Sequence, residues 1–269
     1  MAIGAEIPVE TEVFGVTYER YALGRLFQRL VKKFSLHSVI EMPASGAKAM
    51  PSLYSLGFAS AGCEVTLVDA DEAGVQVWRD LGLDTKLTLL TSDQVETALG
   101  EGRRWDLCWN FAVLSTASDP EGLIRRMAQC SRRWVMIINV NRFNVGFFLH
   151  RTVHRLWKIP WSHGDLRFFS PFKTSEFLRQ MGFKEIHWGV VDCPPWPDSP
   201  GFRDLRLHRL GDRERRWISP YADYLKEDQS PGWLKAVYAV ERLPLPAWLK
   251  LPYSHLYYAI ARVDHEAAG

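Results

Sequence analysis

The chain has 269 residues, enough for one large core with insertions, and its 47% hydrophobic and 24% charged content is that of an ordinary globular protein. A formal net charge of +2 gives no overall footprint for nucleic acid, and the locally basic stretch 203–216 reads as a solvated face. No apolar run approaches the ~18 residues of a membrane span, and the N-terminus lacks a basic stretch followed by an apolar one. Cys63, Cys108, Cys130 and Cys193 show no CxxC spacing, so free thiols in a reducing, cytoplasmic setting are the expectation.

Residues 17–33 carry Tyr21, Leu23, Leu26, Phe27, Leu30 and Val31 at the spacing of an amphipathic helix, and 1–36 read as an N-terminal helical segment. A short buried strand follows at 38–43, then a turn through Pro43, Ala44, Ser45, Gly46 and Ala47, then a helix over about 48–61. The apolar, β-branched "CEVTLVDAD" ending in acids is a second strand. A helix over 72–81, a third strand over 86–93 and a short helix over 94–99 come next. Residues 104–116 form a fourth strand running into a loop. Asp119 with Pro120 starts a helix that runs to about 131, and 133–141 are the fifth strand. Alternation breaks at the aromatic, histidine-containing segment 142–172, resumes with a helix over 173–181 ended by Gly182, and gives a sixth strand over 184–192. Residues 193–253, rich in proline, tryptophan and arginine, are too long for a plain connection and read as a cap. A closing strand spans 254–264.

Strands alternating with helices predict an α/β, doubly wound, mostly parallel sheet with helices on both faces. The core covers 37–192 and 254–264, while 142–172 and 193–253 are insertions forming a substrate cap. In such sheets ligands sit outside the carboxyl ends of the strands, where strand order reverses. That places the turn at 43–47 at the centre of interest.

Three acids, Glu41, Asp69 and Asp93, fall at the ends of three successive predicted strands. With the order of elements, and with "HLYYAIARV" at the end, the chain resembles a class I S-adenosylmethionine-dependent methyltransferase. The resemblance implies a seven-stranded sheet whose last strand is inserted antiparallel, and S-adenosyl-L-methionine as cofactor. It implies that Glu41 orients the loop or contacts the methionine amine, and that Asp69 accepts from the ribose hydroxyls, with Ala70 beside it and Asp71 as a competitor. Asp93 would receive the adenine amino group, and Asn110, Phe111 and Ala112 would line the methionine and the reacting methyl. The family's loop has a GxGxG-like pattern, whereas Pro43, Ser45 and Ala47 stand at those spacings here and only Gly46 offers positive φ or close approach. A dinucleotide's pyrophosphate would demand those glycines, so the loop counts against a nicotinamide oxidoreductase. S-adenosylmethionine has no phosphate to cradle, and Pro43, Ala44, Ser45 and Gly46 remain candidates for its loop.

His150 and His154 lie four apart and share one helical face, and His163 follows in a turn. Three readings apply: polar edges of an aromatic lid, a general base for an acceptor, or a His/His/(His or Asp) metal site without an HExxH glutamate. The sequence favours no metal and makes His150, His154, His163 and Asn141 the candidate catalytic residues. The expected activity is methyl transfer to a small organic acceptor, with no nucleic-acid partner. The missing loop glycines keep a non-catalytic, methyltransferase-like binding or scaffold subunit as the alternative.

Overall fold

A computed structural model of the chain describes residues 9–45, 50–197 and 216–264. Gly46 and the start of the helix expected from about 48 therefore lie outside the described residues, as does nearly all of the basic stretch 203–216.

A short strand β1 (Val9–Thr11) leads into α1 (Phe14–Phe34). The core then runs β2 (Ser38–Glu41), α2 (Leu56–Ser60), β3 (Glu64–Val68), α3 (Glu72–Asp80), β4 (Leu87–Leu90), α4 (Ser92–Gly100), β5 (Trp105–Phe111), α5 (Pro120–Cys130) and β6 (Ser131–Val140). After it come α6 (Val145–Leu156), α7 (Pro171–Gln180), β7 (Lys184–Val191) and β8 (Arg216–Ile218). Helices α8 (Pro220–Lys226), α9 (Gly232–Glu241) and α10 (Ala247–Lys250) precede the last strand, β9 (Leu256–Arg262).

The seven-stranded sheet has the order β4-β3-β2-β5-β6-β9-β7. β2 pairs parallel with β3 and β5, β3 with β4, and β5 with β6. β9 is antiparallel to both its neighbours, β6 and β7. The order runs outward in both directions from β2 and β5, so the switch-point crevice opens at their carboxyl ends. This is the doubly wound sheet with one inserted antiparallel strand that the sequence implied. β1 and β8 pair parallel in a separate two-stranded sheet, an association of remote segments for which the sequence carries no periodic signal.

Both faces of the sheet are buried, which explains the nearly continuous apolar runs of the strands. Val39, Leu107 and Met136 pack under α1 and α2 on one face, whereas Ile40, Cys108 and Val135 pack on the other, against Ile124 and Met127 of α5. Helix α1 is closed by Ser35 in the left-handed conformation, with Lys32 and Lys33 favourably placed in its last turn. Every residue from Thr17 to Gly24 is buried. An amphipathic surface helix would show one buried stripe; here Tyr221 of α8 and Leu234 of α9 join the core cluster that holds α1 and so cover it from outside.

Two expectations about boundaries are corrected. Among the described residues, the helix expected over about 48–61 is confined to Leu56–Ser60, because residues 50–55, which include Pro51, form turns in place of a regular helix. The third strand ends at Leu90, not at Asp93: Thr91 and Gln94 form a reciprocal capping box that starts α4 at Ser92.

Helices α1 and α2 cross at two glycines, and a Cβ placed on Gly57 would stand 2.6 Å from the Gly24 Cα. Gly57→Ala is therefore expected to lower unfolding free energy by about 1–3 kcal/mol through overpacking. Gly100→Ala, with nothing within 4 Å, should change it by no more than about 1 kcal/mol, in the stabilising direction. Urea denaturation of the two variants checks this; equal stabilities would contradict the close crossing.

Candidate functional site at the strand ends

Glu41 ends β2 with its side chain 1% exposed. Its Oε2 accepts from Ser55 Oγ at 2.7 Å, and Ser55 Oγ in turn accepts from Trp109 Nε1 at 3.1 Å. Oε1 is buried and has no partner among the described residues. Burial pushes the Glu41 carboxyl up from the usual 4.5 to about 8, against the opposing effects of Ser55 and the nearby Arg20 charge.

Arg20, on the buried stretch of α1, is held by Glu12: its Nε donates to Oε2 at 2.9 Å and its Nη2 to Oε1 at 2.5 Å. Nη2 also donates to the Met50 carbonyl at 2.7 Å, and the guanidinium lies 4.7 Å above the Tyr54 ring. Nη1, by contrast, is buried without a partner among the described residues. A buried polar group is costly unless paired, and near the β2 exit a carboxyl and a guanidinium each keep one buried atom without a partner among the described residues.

The crossing after β2 is stitched to its neighbours through the backbone. Ala44 N donates to the Val68 carbonyl at 2.7 Å, and Ser52 Oγ donates to the Ala44 carbonyl at 3.0 Å while accepting from Asp71 N. Pro43 is half-buried and Ser45 exposed. Just past β3, Asp69 has φ +53°, and its exposed carboxylate accepts from Ser92 N at 3.1 Å and Ser92 Oγ at 2.6 Å. Ala70, beside it, is half-buried. Asp71 is engaged differently, capping α3 with one oxygen that accepts from Gly74 N. Asp93 is exposed in the first turn of α4.

At the end of β5, Phe111 stacks on Tyr54 at 4.2 Å between centroids, and Ala112 has φ +55°. Left-handed non-glycine residues are uncommon and concentrate at functional sites; Asp69 and Ala112 place two of them at the exits of β3 and β5, the strands on either side of β2. The Asn110 side chain points to the opposite face, where Nδ2 donates to Met127 Sδ.

Asn141 is brought to the end of β6 as expected, but its side chain is spent on the fold. Nδ2 donates to the Leu251 and Ser254 carbonyls and to Ser254 Oγ, and Oδ1 accepts from Phe143 N. It shapes the turn into α6 and has no open group for an acceptor.

The three histidines do come together. His150 and His154 are buried one turn apart on α6, with Nε2 atoms 3.1 Å apart, and the half-buried His163 ring lies 4.9 Å from one and 5.4 Å from the other. Trp161, Phe147 and Phe169 pack around them. The His163 loop is pinned to the exit of β5, because Asp165 N donates to the Ser115 carbonyl at 2.7 Å. Gly164 lies so close to that carbonyl, at φ +83°, that no side chain fits.

Sequence reasoning missed Arg20, Glu12, Tyr54 and Ser55. It also missed a buried pair at the ends of β7 and β9, in which His255 Nδ1 lies 3.1 Å from Asp192 Oδ2. Burial pushes Asp192 up to about 7, with His255 opposing the shift. The available signal for Arg20 was the charged pair Glu19-Arg20 inside the aromatic run "YERYALG".

A cavity of about 440 Å³ elsewhere, between α1 and α9, is lined by Arg25, Arg29, Lys32, Lys235 and Arg242 among others. It includes none of the strand-end residues and is a basic groove separate from the crevice.

The chain matches no protein-family model and no curated protein. It is similar to the solved structure of magnesium protoporphyrin IX methyltransferase from Synechocystis with bound SAH, at 17% identity over 65% of this chain and 78% of that one, TM-score 0.47. A plantazolicin methyltransferase in complex with a monoazolic desmethylPZN analogue and SAH is 11% identical over 93% of this chain and 86% of that one, TM-score 0.47. A possible histamine N-methyltransferase from Thermotoga maritima is 12% identical over 92% of each chain, TM-score 0.46.

Proposed function

We propose that the chain transfers the methyl group of S-adenosylmethionine to a small organic acceptor at the crevice between β2 and β5. The observation that carries this reading is the pair of buried atoms without a partner among the described residues, Glu41 Oε1 and Arg20 Nη1, beside the β2 exit. They complement the α-ammonium and α-carboxylate of an amino-acid ligand. One strand over, the Asp69 carboxylate is an acceptor-only group suited to two ribose hydroxyls at once, in exchange for its bonds to Ser92. Asp93, on the turn after β4, serves the adenine end. A zwitterion at one end and an adenosine at the other are the two halves of this cofactor, and neither requires the loop glycines that a pyrophosphate would.

When bound, S-adenosylmethionine supplies a methyl already activated by the sulfonium, so the protein's work is alignment and exclusion of water. Phe111 and Tyr54, stacked beneath the β5 exit, and the backbone at Ala112 form the wall against which the acceptor is held. The acceptor lies against the loop after β5, under the α6 insertion with its histidines, and α8 and α9 close over α1.

Calorimetric titration with SAH tests the reading. Wild type should bind, and Asp69→Ala should bind at least tenfold more weakly, about 1.4 kcal/mol or more. No binding, or equal affinity, would remove the proposal.

A proton signature should accompany binding. Glu41, with its carboxyl near 8, is mostly protonated at pH 7, and an ammonium partner favours its ionised form. SAH binding should therefore release a proton below about pH 8, and affinity should rise with pH until that point. Titrations in buffers of different ionisation enthalpy measure the release. Glu41→Gln should abolish it, which separates Glu41 from Asp192, a group that titrates in the same range.

A further inference from the structure

We propose that His150, His154 and His163 form a binding site for one divalent transition-metal ion of the zinc type, with a coordination position left for an exogenous ligand. The site stands on its own geometry and does not rest on the methyl-transfer reading.

The three rings each offer a ligand nitrogen, and these atoms lie within 4.8 Å of one another. Zinc–nitrogen bonds of 2.0–2.1 Å in a tetrahedral site put neighbouring ligand atoms about 3.3 Å apart. The Nε2 atoms of His150 and His154, at 3.1 Å, already form such an edge. The third ligand has to close by at most about 1.5 Å to reach that edge, and it sits on a half-buried loop, not on a helix.

The outer contacts fit as well. His154 Nδ1 lies 3.2 Å from the Ile159 carbonyl, a partner that accepts only. That contact fixes the proton on Nδ1 and leaves the Nε2 lone pair directed at its neighbour, the tautomer and the orientation that metal-bound histidines take from a second contact. Trp161 stands 5.3 Å from the His150 ring and 5.2 Å from the His154 ring, so the nitrogens are gathered inside an aromatic shell that restricts water.

Two other readings explain less. A general base requires one histidine, and packing of a lid requires none to present its nitrogens to another. Three imidazole donors with no carboxylate among them favour a borderline cation such as Zn²⁺ or Co²⁺ over Mg²⁺ or Ca²⁺, which prefer oxygen. Three protein ligands, not four, are the pattern of zinc sites that keep one position open. The ion's charge is uncompensated by these ligands, so the fourth ligand is a water or an oxygen, nitrogen or sulfur donor of a small molecule.

The test uses tag-free, full-length protein stripped with chelator and titrated with Co²⁺ and Zn²⁺. Expected are one ion per chain by elemental analysis and a Co²⁺ visible spectrum of tetrahedral intensity, displaced by Zn²⁺. His163→Ala, on the loop, and His154→Ala should each weaken Zn²⁺ binding by more than about a hundredfold, beyond the loss of an outer contact. Circular dichroism confirms that each variant is folded. Wild type that takes up no ion, or affinity unchanged in folded His163→Ala, would overturn the proposal. SAH affinity, measured separately on metal-free wild type, reports only on the cofactor site.

Discussion

The structure depends on a charge that is buried and only partly satisfied. Arg20 lies inside the protein on a helix covered from both sides, held by two oxygens of Glu12, the Met50 carbonyl and the Tyr54 ring. Removing such a group from water is tolerable only with partners in good geometry. Those partners come from the segment before α1 and from the crossing after β2. One guanidinium thus ties the N-terminal segment to the carboxyl edge of the sheet, a few residues from Glu41. The remaining nitrogen on Arg20 and the remaining oxygen on Glu41 have no partner among the described residues.

The same polar layer continues away from the crevice. Tyr54 reaches Glu19 at 3.3 Å, Tyr18 donates to Glu241 at 2.7 Å, and Glu241 also accepts from Cys193 N. The layer continues to Asp192 and His255 at the ends of β7 and β9. Helix α1 therefore serves two purposes: its apolar residues pack on the sheet, while Tyr18, Glu19 and Arg20 join the strand ends into one buried network. Low dielectric strengthens such a network where it is complete and penalises it where it is not.

The sheet was legible in the sequence because its strands are short, β-branched or aromatic, and buried on both faces. "TLV", "DLCWNF" and "VMIINV" have no other use for so much apolar surface. The inserted strand was legible from "HLYYAIARV" and its place at the end of the chain. Glu41 and Asp69 stood out in the sequence because an acid ending an apolar strand is conspicuous. Arg20 was not, since one charge among Tyr18, Tyr21, Leu23 and Leu26 passes for the solvent side of an amphipathic helix until α8 and α9 are known to cover it. The capping box that moves Asp93 off the strand was readable in "TSDQ". Asn141 misled because the acceptors that occupy it lie more than a hundred residues away. The histidine spacing on α6 was visible, but the return of His163 depends on Gly164 fitting against Ser115, a contact between loops with no periodic signal.

The most direct measurement is a crystal structure of the chain with SAH. The account predicts the ligand's ammonium within hydrogen-bonding distance of Glu41 Oε1, its carboxylate at Arg20 Nη1, and both ribose hydroxyls on Asp69. A ligand bound elsewhere, or one bound in the crevice with Glu41 and Arg20 still lacking a partner, would contradict it.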